Sequence, residues 1–243
     1  MFLMVMPAIA DDLPHSIRNF SEAKRLAAEV YIDNKETFYC GCGFDNKKRV
    51  DPTACGYEHR KNKKRGQRVE WEHVVPAHAL GHSRQCWNEK ICTDSKGKVY
   101  KGRRCCEKVD PVFRTMVSDL RNLVPAVGEL NGDRSNYTFN MIEGEERNYG
   151  ACDFEVDRTL RKVEPRPEIR GDIARTYFYM HETYGLPLSG KQRRLFEVWD
   201  REDPISAWEA MRNARIDSVV QRRRLAMMTL IEGEYPSRDL SLE

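Results

Sequence analysis

Apolar positions recur at helical spacing in two stretches of the chain. Between residues 21 and 33, Ala23, Ala27, Val30 and Tyr31 fall on one face behind Ser21, a candidate N-cap, and this spacing predicts a helix. From Gly171 to Tyr184, Ile173, Tyr177, Met180 and Tyr184 share a face, and Gly185 and Pro187 supply the stop. A further helix is expected from Asp203-Pro204, with Asp as the cap and Pro in the first turn. Val69 to Val75 reads as a short strand, because Pro76 cannot continue the pairing of a central strand. Residues 34–68 read as irregular or stranded, and 86–111 as a cross-linked loop. Leu120–Pro125 followed by Glu129–Asn136 forms a turn-rich stretch that opens a short helix. No linker interrupts this order, so the expectation is one α+β domain over residues 11–243 with a helical C-terminal third.

Composition narrows the class. A chain of 243 residues with 40% apolar and 9% aromatic residues can bury a proper core, which excludes wholesale disorder. The 41 Lys and Arg nearly balance the 38 Asp and Glu, so a case for a polyanionic partner must come from local clusters. Past residue 10 no apolar run is long enough to cross a bilayer, so an integral membrane protein is not expected. Residues 1–10, MFLMVMPAIA, are apolar and end in the small-x-small pattern Ala8-Ile9-Ala10, which reads as a short signal segment with the mature chain starting at Asp11. The eight cysteines, Cys40, Cys42, Cys55, Cys86, Cys92, Cys105, Cys106 and Cys152, fit an oxidising compartment. Their spacing lacks the C-x₂-C knuckle of structural zinc, so disulfides are expected; pairing stays open, since eight cysteines allow about 105 connectivities.

The chemistry concentrates around Glu70-Trp71-Glu72-His73-Val74-Val75-Pro76, where a carboxylate sits beside an imidazole at a strand end. Strict alternation would send Glu72 and His73 to opposite faces, so both can serve one site only if the strand ends or bulges there. Farther on lie Asn122-Leu123-Val124-Pro125 and Asn131-Gly132-Asp133-Arg134, and between the strand end and these motifs runs a basic loop with Lys96, Lys98, Lys101, Arg103, Arg104 and Lys108. Phosphodiester hydrolysis needs these parts: a base for water near neutral pH, oxygen ligands for a hard cation, and a guanidinium on the phosphate. The run Arg60-Lys61-Asn62-Lys63-Lys64-Arg65 adds a candidate patch for nucleic-acid backbone. His73, His78 and His82 invite a zinc reading, but neither H-E-x-x-H nor H-x-x-E-H is present and Pro76 breaks the helix such a site needs.

The segments E-W-E-H-V-V-P-A, R-Q-C-W, D-P-V-F, D-L-R-N-L-V-P-A-V-G-E-L-N-G-D-R-S-N and P-R-P-E-I-R-G-D-I-A-R-T-Y-F-Y-M resemble the endonuclease I family over residues 20–210. The resemblance implies a bacterial periplasmic or secreted, disulfide-containing, sequence-non-specific nuclease built on a ββα-metal (His-Me) finger. It implies His73 as general base and Glu72 and Asn131 as ligands of one Mg²⁺, with Mn²⁺ or Ca²⁺ as alternatives. Asn131 is preferred to Asn122 because it lies nine residues beyond it, at the helix position of the wider finger group. Arg103 matches the phosphate-holding arginine, with Arg104 left open as its rival because the stretch between Trp87 and Arg103 is longer than the family pattern. Lys61, Lys63, Lys64, Arg65, Arg104 and Arg134 are the expected nucleic-acid contacts. The implied partners are DNA, double- and single-stranded, and RNA; a monomer without membrane association is expected. The rival reading is an exported protein that binds polyanions on the same scaffold and cuts nothing.

Overall fold

The computed structural model describes residues 17–144 and 146–234, with side chains to residue 226. The expected signal segment, residues 1–10, lies outside the described residues. In chain order the elements are α1 (Phe20–Val30), α2 (Lys63–Gly66), β1 (Val69–His73), α3 (Ala77–Gly81), α4 (Gln85–Asn88), β2 (Cys92–Thr93), β3 (Val99–Tyr100), α5 (Arg103–Val109) and α6 (Pro111–Val117). There follow β4 (Leu123–Val127), α7 (Gly128–Arg134), β5 (Thr138–Phe139), β6 (Phe154–Asp157), β7 (Lys162–Pro165), α8 (Arg170–Tyr184), α9 (Gly190–Glu202) and α10 (Ala207–Glu234). The α+β expectation and the helical C-terminal third therefore hold.

At the centre β1 and β4 pair antiparallel, with Glu72 opposite Val124 and His73 opposite Leu123, and α7 follows β4 without a break. This ribbon is packed on both sides. Val69, Val124, Ala126, Val127 and Leu130 join a core with Tyr39, Phe139, Phe154 and the helical pair α8–α9. Trp71, Leu120 and Leu123 join another with α1 and with Ile216 and Val219 of α10. Pro125 is tolerated inside β4 because, opposite Trp71, its backbone nitrogen and carbonyl face away from β1 on the outer edge of a ribbon of only two strands, and the carbonyl accepts from the Phe38 N–H at 2.7 Å.

All eight cysteines pair, as Cys40–Cys152, Cys42–Cys55, Cys86–Cys106 and Cys92–Cys105. The first closes a loop of 112 residues around the ribbon and α7, so it removes much freedom from the unfolded chain. The last two correct the reading of 86–111 as a loop. That segment is α4, the β2–β3 hairpin and α5, with Cys105 and Cys106 both buried. Successive residues on a helix point in different directions, which lets these neighbours reach separate partners.

Helix ends differ where side chains compete for the cap. The first helix is capped by Asn19, whose Oδ1 accepts from the Glu22 N–H at 3.0 Å, and not by Ser21. Asp203 does not open a helix: its N–H closes α9 on the Trp199 carbonyl and its carboxylate accepts from the Gly171 N–H at 2.8 Å. The last helix starts at Ala207, where the Ser206 hydroxyl accepts from the Glu209 N–H. The Leu120–Pro125 stretch is a 3₁₀ turn over Leu120–Asn122 that leads into β4, and α7 ends at Arg134, before Ser135 with its φ of 52°.

In the first turn of α8, burial pushes the Asp172 carboxyl up to about 7, with Glu209 and Asp203 reinforcing the shift and Arg175 and Arg212 opposing it. A folded-state value above the unfolded one means the native protein keeps a proton that the unfolded chain releases, so stability falls as pH rises from about 4 to about 7. Asp172→Asn is expected to stabilise the protein above pH 7, by a few kcal/mol at most, with the difference vanishing below about pH 4. Denaturant midpoints of both proteins across that range check it.

Candidate active site

The strand β1 ends at His73, and its last two residues open onto one cleft of about 850 Å³ despite their opposite directions. The chain turns at once: Pro76 caps α3 and leads it away. Buried Asn122 fixes this turn by accepting from the Val75 N–H at 2.7 Å and donating to the Val75 carbonyl at 3.0 Å. Its amide is thus committed to backbone, whereas Asn131 on α7 lines the cleft.

His73 is buried against Phe20, with ring centroids 4.8 Å apart, and its Nε2 lies 2.8 Å from the Val117 carbonyl. A carbonyl only accepts, so Nε2 carries the proton and Nδ1 keeps the lone pair. Burial, helped by the Arg103 charge, presses the imidazole down to about 3, so the ring is neutral at ordinary pH. Glu72 is buried, and its Oε1 accepts from the Tyr39 hydroxyl at 3.0 Å and from Arg134 Nη1 at 3.1 Å. Burial raises this carboxyl while the Arg134 charge opposes the rise. The Asn131 amide donates to Glu70 Oε2 at 3.3 Å, and Glu70 is gripped by Arg65 and Arg68.

Arg103 lines the cleft with its guanidinium 4.8 Å above Phe20 and an ion pair to Glu107 at 2.8 Å. Arg104 lies over Tyr100 and outside that lining. Lys61, Lys63 and Lys64 are exposed, but Arg65 is tied to Glu70 and Arg60 to Asp133. The loop that carries them is clamped to α7, because the N–H groups of Arg60 and Lys61 donate to the Glu129 carboxylate at 3.0 and 2.7 Å. His78 and His82 stack on each other, centroids 5.3 Å apart. Phe20, Lys24, Lys48 and Arg68 also line the cleft and were not anticipated. Tyr39 was missed too, because it reaches Glu72 from 33 residues away in the chain.

The model of the family described as Endonuclease I matches residues 15–224. The chain belongs to the endonuclease I family. An extracellular deoxyribonuclease of Aeromonas hydrophila is 44% identical over 208 residues, covering 84% of this chain and 86% of that protein. A periplasmic deoxyribonuclease of the same species is 44% identical over 203 residues, covering 82% and 81%. Endonuclease-1 of Buchnera aphidicola subsp. Acyrthosiphon pisum (strain APS) is 41% identical over 207 residues, covering 84% and 78%.

In this endonuclease I chain one expectation is overturned. Arg134 does not face nucleic acid. Its side chain is fully buried, with Nη1 donating to Glu72 Oε1 and to the His73 carbonyl at 2.9 Å, and Nη2 donating to the Val74 carbonyl at 2.5 Å. The strand's end leaves the His73 and Val74 carbonyls without ladder partners, and a planar fork of donors satisfies them together with the Glu72 carboxylate. Arg134→Met is expected to cost roughly 3–5 kcal/mol, because Glu72 would remain as a buried charge without its partner. Denaturant titration would read this loss. A phosphate contact would instead leave stability intact and lower the salt dependence of DNA binding.

Proposed function

We propose that this chain is an exported, metal-dependent endonuclease that hydrolyses DNA, and RNA by the same chemistry, with little sequence preference. The observation that carries the reading is the locked tautomer of His73, which keeps Nδ1 unprotonated at neutral pH in the cleft shared with Glu72, Asn131 and Arg103. Names of the similar deoxyribonucleases support the substrate, and those same names, with four disulfides, support the periplasm or the cell exterior. Strands β1 and β4 with α7 correspond to a ββα-metal finger.

The donor set suits a hard divalent cation: both side-chain hydrogen bonds to Glu72 fall on Oε1, and the Asn131 hydrogen bond uses its Nδ2, so a carboxylate and an amide carbonyl remain as oxygen ligands. Mg²⁺ is the first candidate, with Mn²⁺ and Ca²⁺ sharing the same ligand preference; bound there it would neutralise charge on the phosphate and on the departing 3′ oxygen. His73 takes a proton from water through Nδ1 as the water oxygen attacks phosphorus. The bond to the 3′ oxygen breaks and that oxygen takes a proton from solvent water, leaving a 5′ phosphate and a 3′ hydroxyl, while His73 later returns its proton to solvent. Arg103 holds the phosphate, and the Val117 carbonyl keeps the imidazole in position while its charge grows. Phosphate contacts carry no direct sequence information, which accounts for the lack of preference.

The oxidised chain is expected to nick supercoiled plasmid with Mg²⁺ and to stop with EDTA. His73→Ala should lower cutting by about 10²–10⁴-fold or more while still shifting DNA in a gel. An intact plasmid with wild-type protein that shifts DNA would favour a binding protein that cuts nothing.

A further inference from the structure

Beside the cleft lies a second cavity of about 340 Å³, and Pro76, His78 and Asn136 line both. The two differ in chemistry. Lys24, Lys48, Arg68 and Arg103 line the cleft, whereas Arg161 is the one Lys or Arg among the described residues that line the second cavity. Its floor is apolar, with Val75, Met180 and Leu188, and its walls carry rings. On one side His78 and His82 stand parallel, 5.3 Å apart. The Nδ1 of His82 donates to the His78 carbonyl at 3.1 Å, which leaves Nε2 as an acceptor. Arg161, also in the lining, covers Tyr137, its guanidinium 5.3 Å from the ring centroid, and donates to Asn136 Oδ1 at 2.7 Å. Arg161 therefore ties the ring wall to the rim shared with the cleft.

We propose that this cavity is a base-binding subsite, which takes one unstacked base from a nucleotide adjoining the phosphate under attack. The inference rests on the nuclease reading of the cleft. A phosphate would call for cations; flat apolar walls with a few hydrogen-bonding groups suit a nucleobase. The geometry is continuous, since Pro76 lies three residues past His73, at most about 11 Å of chain. Stacking accepts every base, so the subsite adds grip without adding sequence preference. It favours strands whose bases are already unstacked, because a duplex must first give one up.

The test is a cleavage ladder from an end-labelled single-stranded oligonucleotide carrying one abasic tetrahydrofuran residue, digested partially by the oxidised full chain beside its intact counterpart. One bond flanking the gap is expected to be cut about tenfold less than the same bond in the intact strand, with the other bonds unchanged. Tyr137→Ala and the surface change His82→Ala should flatten this dip and raise KM on the intact strand more than they lower kcat. A wild-type ladder that runs evenly through the gap, or is stronger there, overturns the subsite and leaves the nuclease standing. No cutting of the intact strand overturns the nuclease reading, and this inference falls with it. The decisive comparison uses wild-type protein alone, so a variant that fails to fold does not blunt it.

Discussion

A guanidinium sealed inside the molecule governs where β1 stops. Taking an arginine fully out of water is costly, and Arg134 offsets that cost by meeting oxygens on Glu72, His73 and Val74 at once. Asn122 does the same for the next residue, Val75. Four consecutive residues are thus held by buried polar side chains where the ladder would otherwise fray. The strand cannot slip along its partner without leaving these groups unpaired, and the alternation that would separate Glu72 from His73 is cut off at the point where the two meet one cleft.

The cleft's charges are sorted by the same logic. Glu70 would repel a phosphate, yet it is bracketed by Arg65 and Arg68, and Asp133 by Arg60 and Arg158. Lys24 and Lys48 also line the opening, beside Arg68, which shares Glu70 with Arg65, and Arg103, which pairs with Glu107. Neutralised acids beneath and cations at the rim give a positive opening in a chain whose overall charge is only +3. Net charge was uninformative for this reason: the positive groups are gathered, not numerous.

What could be read from the sequence follows from how local each signal is. The strand β1 was legible from Pro76, although it stops at His73, two residues before the expected Val75, and the α8 helix because its apolar face and Gly185 are contiguous. Asn131 and Arg103 could be picked from their motifs, and both line the cleft. Arg134 could not, since a cation in Gly-Asp-Arg-Ser looks like a surface residue until the carbonyls of residues 73 and 74 are brought to it. Tyr39 carries no mark of its role for the same reason, and the cysteine pairing spans up to 112 residues. Helix starts moved because Asn19 and Ser21, or Asp203 and Ser206, are equally good caps locally: Asn19 and Ser206 make the capping bonds, and Asp203 is taken by the Gly171 N–H from 32 residues away.

Pro125 carries a consequence for the chain's behaviour before and after its cross-links form. A two-stranded ribbon offers bare edges, and bare edges recruit other chains into aggregates. Along β4, Pro125 has no N–H to give, its carbonyl is already taken by Phe38, and the Leu123 carbonyl accepts from Arg212. Along β1, the Val69 N–H is spent on the Lys48 carbonyl. The ribbon therefore presents little to a stray strand, and its occupied edges protect the folded protein against self-association.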